Sequence, residues 1–159
     1  EIIRQKTASL IASCCASGAA SAGSSDEEIK KMHEFGELIG MAFQIKDDLF
    51  DYGPDGVIGK PTGIDIKESK MTLPLIYSLM QADRSTKRNI VNIIKNHNTE
   101  DKKVKEVIAF VKKSGGMEYA TEKMKAYQAK AFVILDTFPD SIFKNSLREL
   151  VKYTTERNH

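Results

Sequence analysis

Phe43-Gln44-Ile45-Lys46-Asp47-Asp48-Leu49-Phe50-Asp51-Tyr52 ends a stretch in which Ile29, Met32, Phe35, Leu38, Ile39, Ala42 and Phe43 recur at three- and four-residue spacings. That period is the signature of one apolar helix face. It predicts a helix that opens at Asp26, the expected N-cap, with Glu27 and Glu28 in the first turn, and that runs to about Tyr52. On a helix of 3.6 residues per turn, Gln44, Asp47 and Asp51 share a narrow arc with Asp48 beside it. Three carboxylates then crowd the helix C-terminus, where like charges at i, i+4 and the helix dipole both act against stability. Taken alone, the cluster reads equally as a solvated acidic helix end or as a site for a hard divalent cation. Mg²⁺ prefers such oxygen ligands, and typically takes one or two carboxylates plus phosphate oxygens and water.

Outward from this stretch the pattern stays helical. Ile2–Ala22 is rich in alanine and other small residues and can pack closely on a neighbour; Gly23-Ser24-Ser25 breaks it. Gly53 to Gly63 holds four glycines and two prolines, Gly53, Pro54, Gly56, Gly59, Pro61 and Gly63, and is expected to be a loop. Helices are expected over 70–82, with Pro74 near the start, then over 86–96, 100–113 and 118–137. A last helix should open at Pro139 and carry Ile142, Leu147, Leu150 and Val151 on one side. No alternating pattern is long enough for a sheet, so the expected fold class is all-α.

The chain has 159 residues, 41% hydrophobic and 29% charged, which suits one globular domain. A net charge of +2 gives no argument for nucleic acid. No apolar run reaches the ~18 residues of a membrane span, so no integral membrane segment is expected. The segment 8–22 lacks the layout of a signal peptide. The two cysteines, Cys14 and Cys15, are adjacent and poorly placed to bridge each other, which fits reduced thiols and a cytoplasmic location. His33 and His97 lack ligand spacing, and the lysines at 102, 103, 105, 112 and 113 read as a solvated helix face.

Beyond the acidic cluster come Lys60 and Lys70, cations of the kind that would neutralise a diphosphate held by a metal. At this level the sequence becomes specific. GMAFQIKDDLFDY at 40–52 followed by GKPTGIDIKESKMTLP at 59–74 resembles the second aspartate-rich region of the trans-isoprenyl diphosphate synthases, and Lys6-Thr7-Ala8 resembles their KTA segment. The basic end Tyr153–Arg157 is a weaker likeness.

The resemblance implies the C-terminal part of the isoprenoid-synthase helical bundle: the acidic motif at 47–51, a phosphate-contacting loop at 53–70, and C-terminal helices over 83–157. It implies Mg²⁺ held by Asp47 first, with Asp48 and Asp51 as ligands or supports. Lys6 and Thr7 would touch the allylic diphosphate, Gln44 would lie near the reacting carbons beside Phe43, and Lys60 and Lys70 would meet diphosphate. The implied reaction joins isopentenyl diphosphate to an allylic diphosphate in a homodimeric enzyme. KPTGID with KMTLPLIY most resembles octaprenyl-type enzymes, hence a quinone side-chain product. A second aspartate-rich motif of the same kind cannot be made from the aspartates present, so these 159 residues alone are expected to be inactive. The alternatives are a non-catalytic helical subunit of the same fold and, against the presence of Asp51, a terpene cyclase.

Overall fold

A computed structural model describes residues 1–53 and 62–157. The described residues form helices and connections only, with no strand among them. A π-helical turn, Arg4–Ala8, runs into α1 (Ser9–Ser21). Then come α2 (Asp26–Phe50), a one-turn α3 (Ile64–Lys67), α4 (Leu73–Gln81), α5 (Arg84–Asn96), α6 (Asp101–Lys113), α7 (Gly116–Asp136) and α8 (Ile142–Glu156). They divide into two compact units, Glu1–Lys46 with Lys123–Arg157, and Asp47–Glu122.

In the first unit the core gathers Phe35 of α2, Ala131 and Leu135 of α7 and Val151 of α8, with Cys15 of α1 packed against them. α2 starts on a reciprocal cap. The Ser25 N–H and hydroxyl both donate to the Glu28 carboxylate at 2.8 Å, and the Glu28 N–H points back to Ser25 Oγ at 3.4 Å. The cap is therefore Ser25, not the expected Asp26, because S-x-x-E satisfies two donors at once. The expectation for the last helix also changes. Pro139 lies in the turn before α8, and Ser141 caps it by accepting the Lys144 N–H. Val151 is buried, whereas Ile142 and Leu150 are 74% and 57% exposed, so the four apolar residues do not share one buried side. Their positions explain it. At 100° per residue Ile142 and Leu150 lie far around the helix from Val151. The buried Lys144 secures the turn by donating to the Phe138 carbonyl at 2.7 Å and to Asp140 at 2.9 Å.

The second unit is built on α4, α5 and α6. α5 turns Ile90, Ile93 and Ile94 inward, and α6 turns in Val104, Val107 and Val111, at the three- and four-residue intervals that place side chains on one face. Leu75, Leu79, Ile66 and Tyr52 complete this core. Pro74 occupies the first turn of α4, where its missing N–H costs no helical bond. Tyr77 and Tyr119 stack with ring centroids 4.1 Å apart.

α5 begins two residues earlier than the pattern suggests because Asp83 caps it. Its carboxylate accepts the Ser85 and Thr86 N–H groups and the Thr86 hydroxyl. The Thr86 hydroxyl, ahead of the two N–H groups, holds the Asp83 carboxyl below its usual value. A depressed folded pKa means stability that is present above the unfolded value, ~3.9, and that disappears as pH falls through the folded pKa. Asp83→Ala is therefore expected to lower the melting temperature at neutral pH, by a difference that shrinks as pH falls through the folded pKa. Thermal melts across pH 2–7 check this, and a pH-independent difference would contradict it.

Candidate functional site

Small residues bring the start of the chain onto α2. A Cβ on Gly40 would stand 2.5 Å from the Ala8 Cα, and one on Gly36 would stand 2.7 Å from the Ala12 Cα. Gly36 and Gly40 are four residues apart and face Ala8 and Ala12, also four apart, so two backbones meet at a distance that side chains would forbid. The Arg4–Ala8 turn is π-helical, with the Ser9 N–H donating to the Arg4 carbonyl. Such turns insert one residue into a helix and are frequent at functional sites. This one carries Lys6 and Thr7.

The close approach places Thr7 against α2, where its hydroxyl donates to Gln44 Oε1 at 2.8 Å. That bond fixes the Gln44 amide with its oxygen toward Thr7. Lys6, on the same turn, is exposed. One residue before Gln44, the Arg157 guanidinium lies 4.7 Å over the Phe43 ring. Lys46, one turn of α2 beyond Phe43, has its pKa lowered, first by burial and then by the charge of Arg157.

Asp47 and Asp48 follow Gln44 on α2, Asp47 half-buried and Asp48 6% exposed. Asp51 lies just past the helix end, and its groups are turned toward the chain that follows. Its backbone carbonyl accepts the Gly63 N–H at 2.9 Å. Its carboxylate accepts the Ile64 N–H on one oxygen at 2.8 Å and the Asp65 N–H on the other at 3.1 Å. Gly63 makes this possible. Its φ of 77° and a Cβ position 2.4 Å from Val104 Cγ1 both demand glycine. Having no side chain, Gly63 cannot cap α3, and Asp51 does so from thirteen residues away. Burial raises the Asp51 pKa first and the neighbouring Asp65 carboxylate adds to it, partly opposed by the N–H groups it accepts.

The next residue, Tyr52, is fully buried, and its hydroxyl hydrogen-bonds the Thr72 hydroxyl at 2.9 Å. Burial pushes the Tyr52 phenol upward. Lys70 is exposed and pairs with Glu68 and, at 3.4 Å, with Asp65; the Glu68 bond is the main cause of its raised pKa. Lys60 lies outside the described residues.

The structure thus brings Thr7 to Gln44 in one unit, and sets Asp47, Asp48 and Asp51 along the end of α2, with Asp65 held beside Asp51 in the other. Sequence reasoning missed Gly36, Gly40, Gly63, Asp65, Tyr52 and Thr72. The glycine-x-x-x-glycine spacing was a usable signal for the first two. The carboxylate oxygens of Asp47 and Asp48 on α2 are donors of the type a hard divalent cation takes. Among the described residues no three carboxylate, thiol or imidazole groups form a metal cage by themselves.

The sequence profile of the family described as Polyprenyl synthetase matches residues 1–111. The chain is 34% identical to heptaprenyl diphosphate synthase component 2 of Geobacillus stearothermophilus, over 99% of this chain and 48% of that protein. The crystal structure of a geranylgeranyl pyrophosphate synthase from Bacteroides thetaiotaomicron superposes with a TM-score of 0.89 at 39% identity, over 98% of this chain and 52% of that one. A polyprenyl synthase from Caulobacter crescentus, solved with calcium and isoprenyl diphosphate, gives a TM-score of 0.90 at 28% identity, over 99% of this chain and 48% of that one. This chain belongs to the polyprenyl synthetase family and shares the all-α fold of its solved members. It spans about half the length of the relatives it matches.

Proposed function

We propose that the full-length protein is a prenyltransferase that adds isopentenyl diphosphate to an allylic diphosphate and releases a linear prenyl diphosphate. The observation that carries this reading is the arrangement on α2: a Gln44 amide fixed by Thr7, followed within one turn by Asp47 and Asp48. Asp47 and Asp48 would hold Mg²⁺. When bound, the ion would neutralise charge on the departing diphosphate. Lys6 and Thr7 would bind the allylic diphosphate, Lys60 and Lys70 would contribute further positive charge, and Thr7 would keep the Gln44 amide in one orientation. Apolar helix faces around the reacting carbons would exclude water. The calcium and isoprenyl diphosphate in the Caulobacter relative support both the metal and the ligand class.

The finer proposals are an octaprenyl-type product serving as a quinone side-chain precursor, a homodimer, and a cytoplasmic location. The first rests on the sequence from Lys60 to Tyr77, since the relatives named above differ in product length. No helix among the described residues is long and apolar enough to cross a membrane. The name "component 2" of the Geobacillus relative favours a second reading for assembly, association with an unlike subunit. Light scattering of the purified full-length protein separates the two, a homodimer mass supporting the first and a monomer supporting the second.

The test of activity is transfer of labelled isopentenyl diphosphate to an allylic diphosphate with Mg²⁺, with products resolved by length. The full-length protein is expected to turn over and the 159 residues alone to stay at background, because they offer one aspartate-rich motif only. Turnover by the 159 residues would overturn the half-site reading. None by the full-length protein would overturn the prenyltransferase reading.

A further inference from the structure

Within the reading just given, on which this inference rests, the third aspartate of the motif stands apart from the first two. We infer that Asp51 is a positioning residue: it pins the segment from Gly63 to Thr72 to the end of α2, leaving metal binding to Asp47 and Asp48.

Three consecutive backbone N–H groups, those of Gly63, Ile64 and Asp65, all donate to Asp51, one to its carbonyl and one to each carboxylate oxygen. The two bonds to the half-buried carboxylate are charge-assisted and of good length. Their donors belong to the first residues of α3, where N–H groups have no partner within the helix. Tyr52 fastens the far end of the same segment through its bond to Thr72. Two adjacent residues thereby fix both ends of a ten-residue stretch. Between those ends the segment is held at further points. The Lys70 N–H donates to the Asp65 carbonyl at 2.8 Å, Ser69 Oγ donates to the Ile94 carbonyl at 3.0 Å, and Asn98 donates to the Lys67 carbonyl at 2.6 Å.

A ligand and an anchor are expected to respond differently to the same substitutions. Asp51→Asn keeps the shape but loses the charge and one of the two acceptor oxygens. Asp51→Glu keeps the charge, and with it a ligand's capacity, but moves the oxygens by one methylene away from the donors. Asp47→Asn serves as the comparison.

The experiment uses the full-length protein with two readouts. The first is backbone hydrogen exchange over residues 62–72 without metal. The second is the Mg²⁺ concentration needed for binding of inorganic diphosphate, by calorimetry. Both Asp51 variants are expected to speed exchange at Ile64 and Asp65 at least tenfold and to leave the Mg²⁺ requirement within about twofold. Asp47→Asn is expected to do the reverse. Where Asp51→Asn does not fold, Asp51→Glu decides alone. Unchanged exchange at Ile64 and Asp65 would overturn the inference. So would a shift in Mg²⁺ requirement for Asp51→Asn as large as that for Asp47→Asn. The exchange readout needs neither metal nor turnover, so it decides the role of Asp51 even where the transferase assay gives nothing.

Discussion

Asp47→Ala in the full-length protein is expected to reduce kcat for isopentenyl transfer by about 10²–10³-fold, the usual cost of removing one group that stabilises developing charge in a transition state. It should also raise the Mg²⁺ concentration needed for half-maximal rate. Steady-state kinetics with a Mg²⁺ titration give both numbers. Activity within tenfold of wild type would remove Asp47 from the proposed metal site.

The second large effect comes from a residue with no side chain. Gly40→Ala adds a Cβ that would stand 2.5 Å from the Ala8 Cα, a backbone atom that cannot swing aside. Overpacking of this kind costs about 1–3 kcal/mol, more than the helix-propensity gain of up to ~1 kcal/mol from replacing glycine. The displaced turn would also carry Thr7 away from Gln44, so catalysis should fall as well. Gly18→Ala makes the same chemical change in α1 with no atom within 4 Å of the new Cβ, and is expected to stabilise. Chemical denaturation of both variants in the full-length protein is decisive, because one substitution is predicted to act with opposite signs. A Gly40→Ala protein more stable than wild type would refute the close packing of α2 on the first turn.

The helices were legible because their apolar residues repeat at helical spacing over many turns, and α2 is the clearest case. Boundaries were less so. Asp26 and Ser25 are both good capping residues, and only the reach of Glu28 back to Ser25 decides between them. The one-turn α3, which directly follows the glycine-rich run, gave no sequence signal of its own, since its cap is supplied by Asp51 rather than by a neighbour in sequence. For the site, residue types and spacing gave the acidic motif and Gln44. They could not give the Thr7–Gln44 or Tyr52–Thr72 bonds, which join residues 37 and 20 positions apart. Such contacts follow from which backbones approach, and that in turn depends on where glycine and alanine fall on facing helices.

The π-helical turn at Arg4–Ala8 has a consequence for the residues on either side of it. A turn closed from Ser9 back to Arg4 winds one residue more than a regular helix would. Everything before it is therefore out of phase with α1 by about 100°, the angle one residue subtends. Ile3, rather than Arg4, consequently takes the place in line with Ala8 and Ala12, and it is half-buried where Arg4 is exposed. Loss of a single residue at this point would restore uniform winding and rotate the preceding chain by that angle. The extra residue works as a fixed phase offset: it lets one continuous rod point its first turns and its later turns in independent directions.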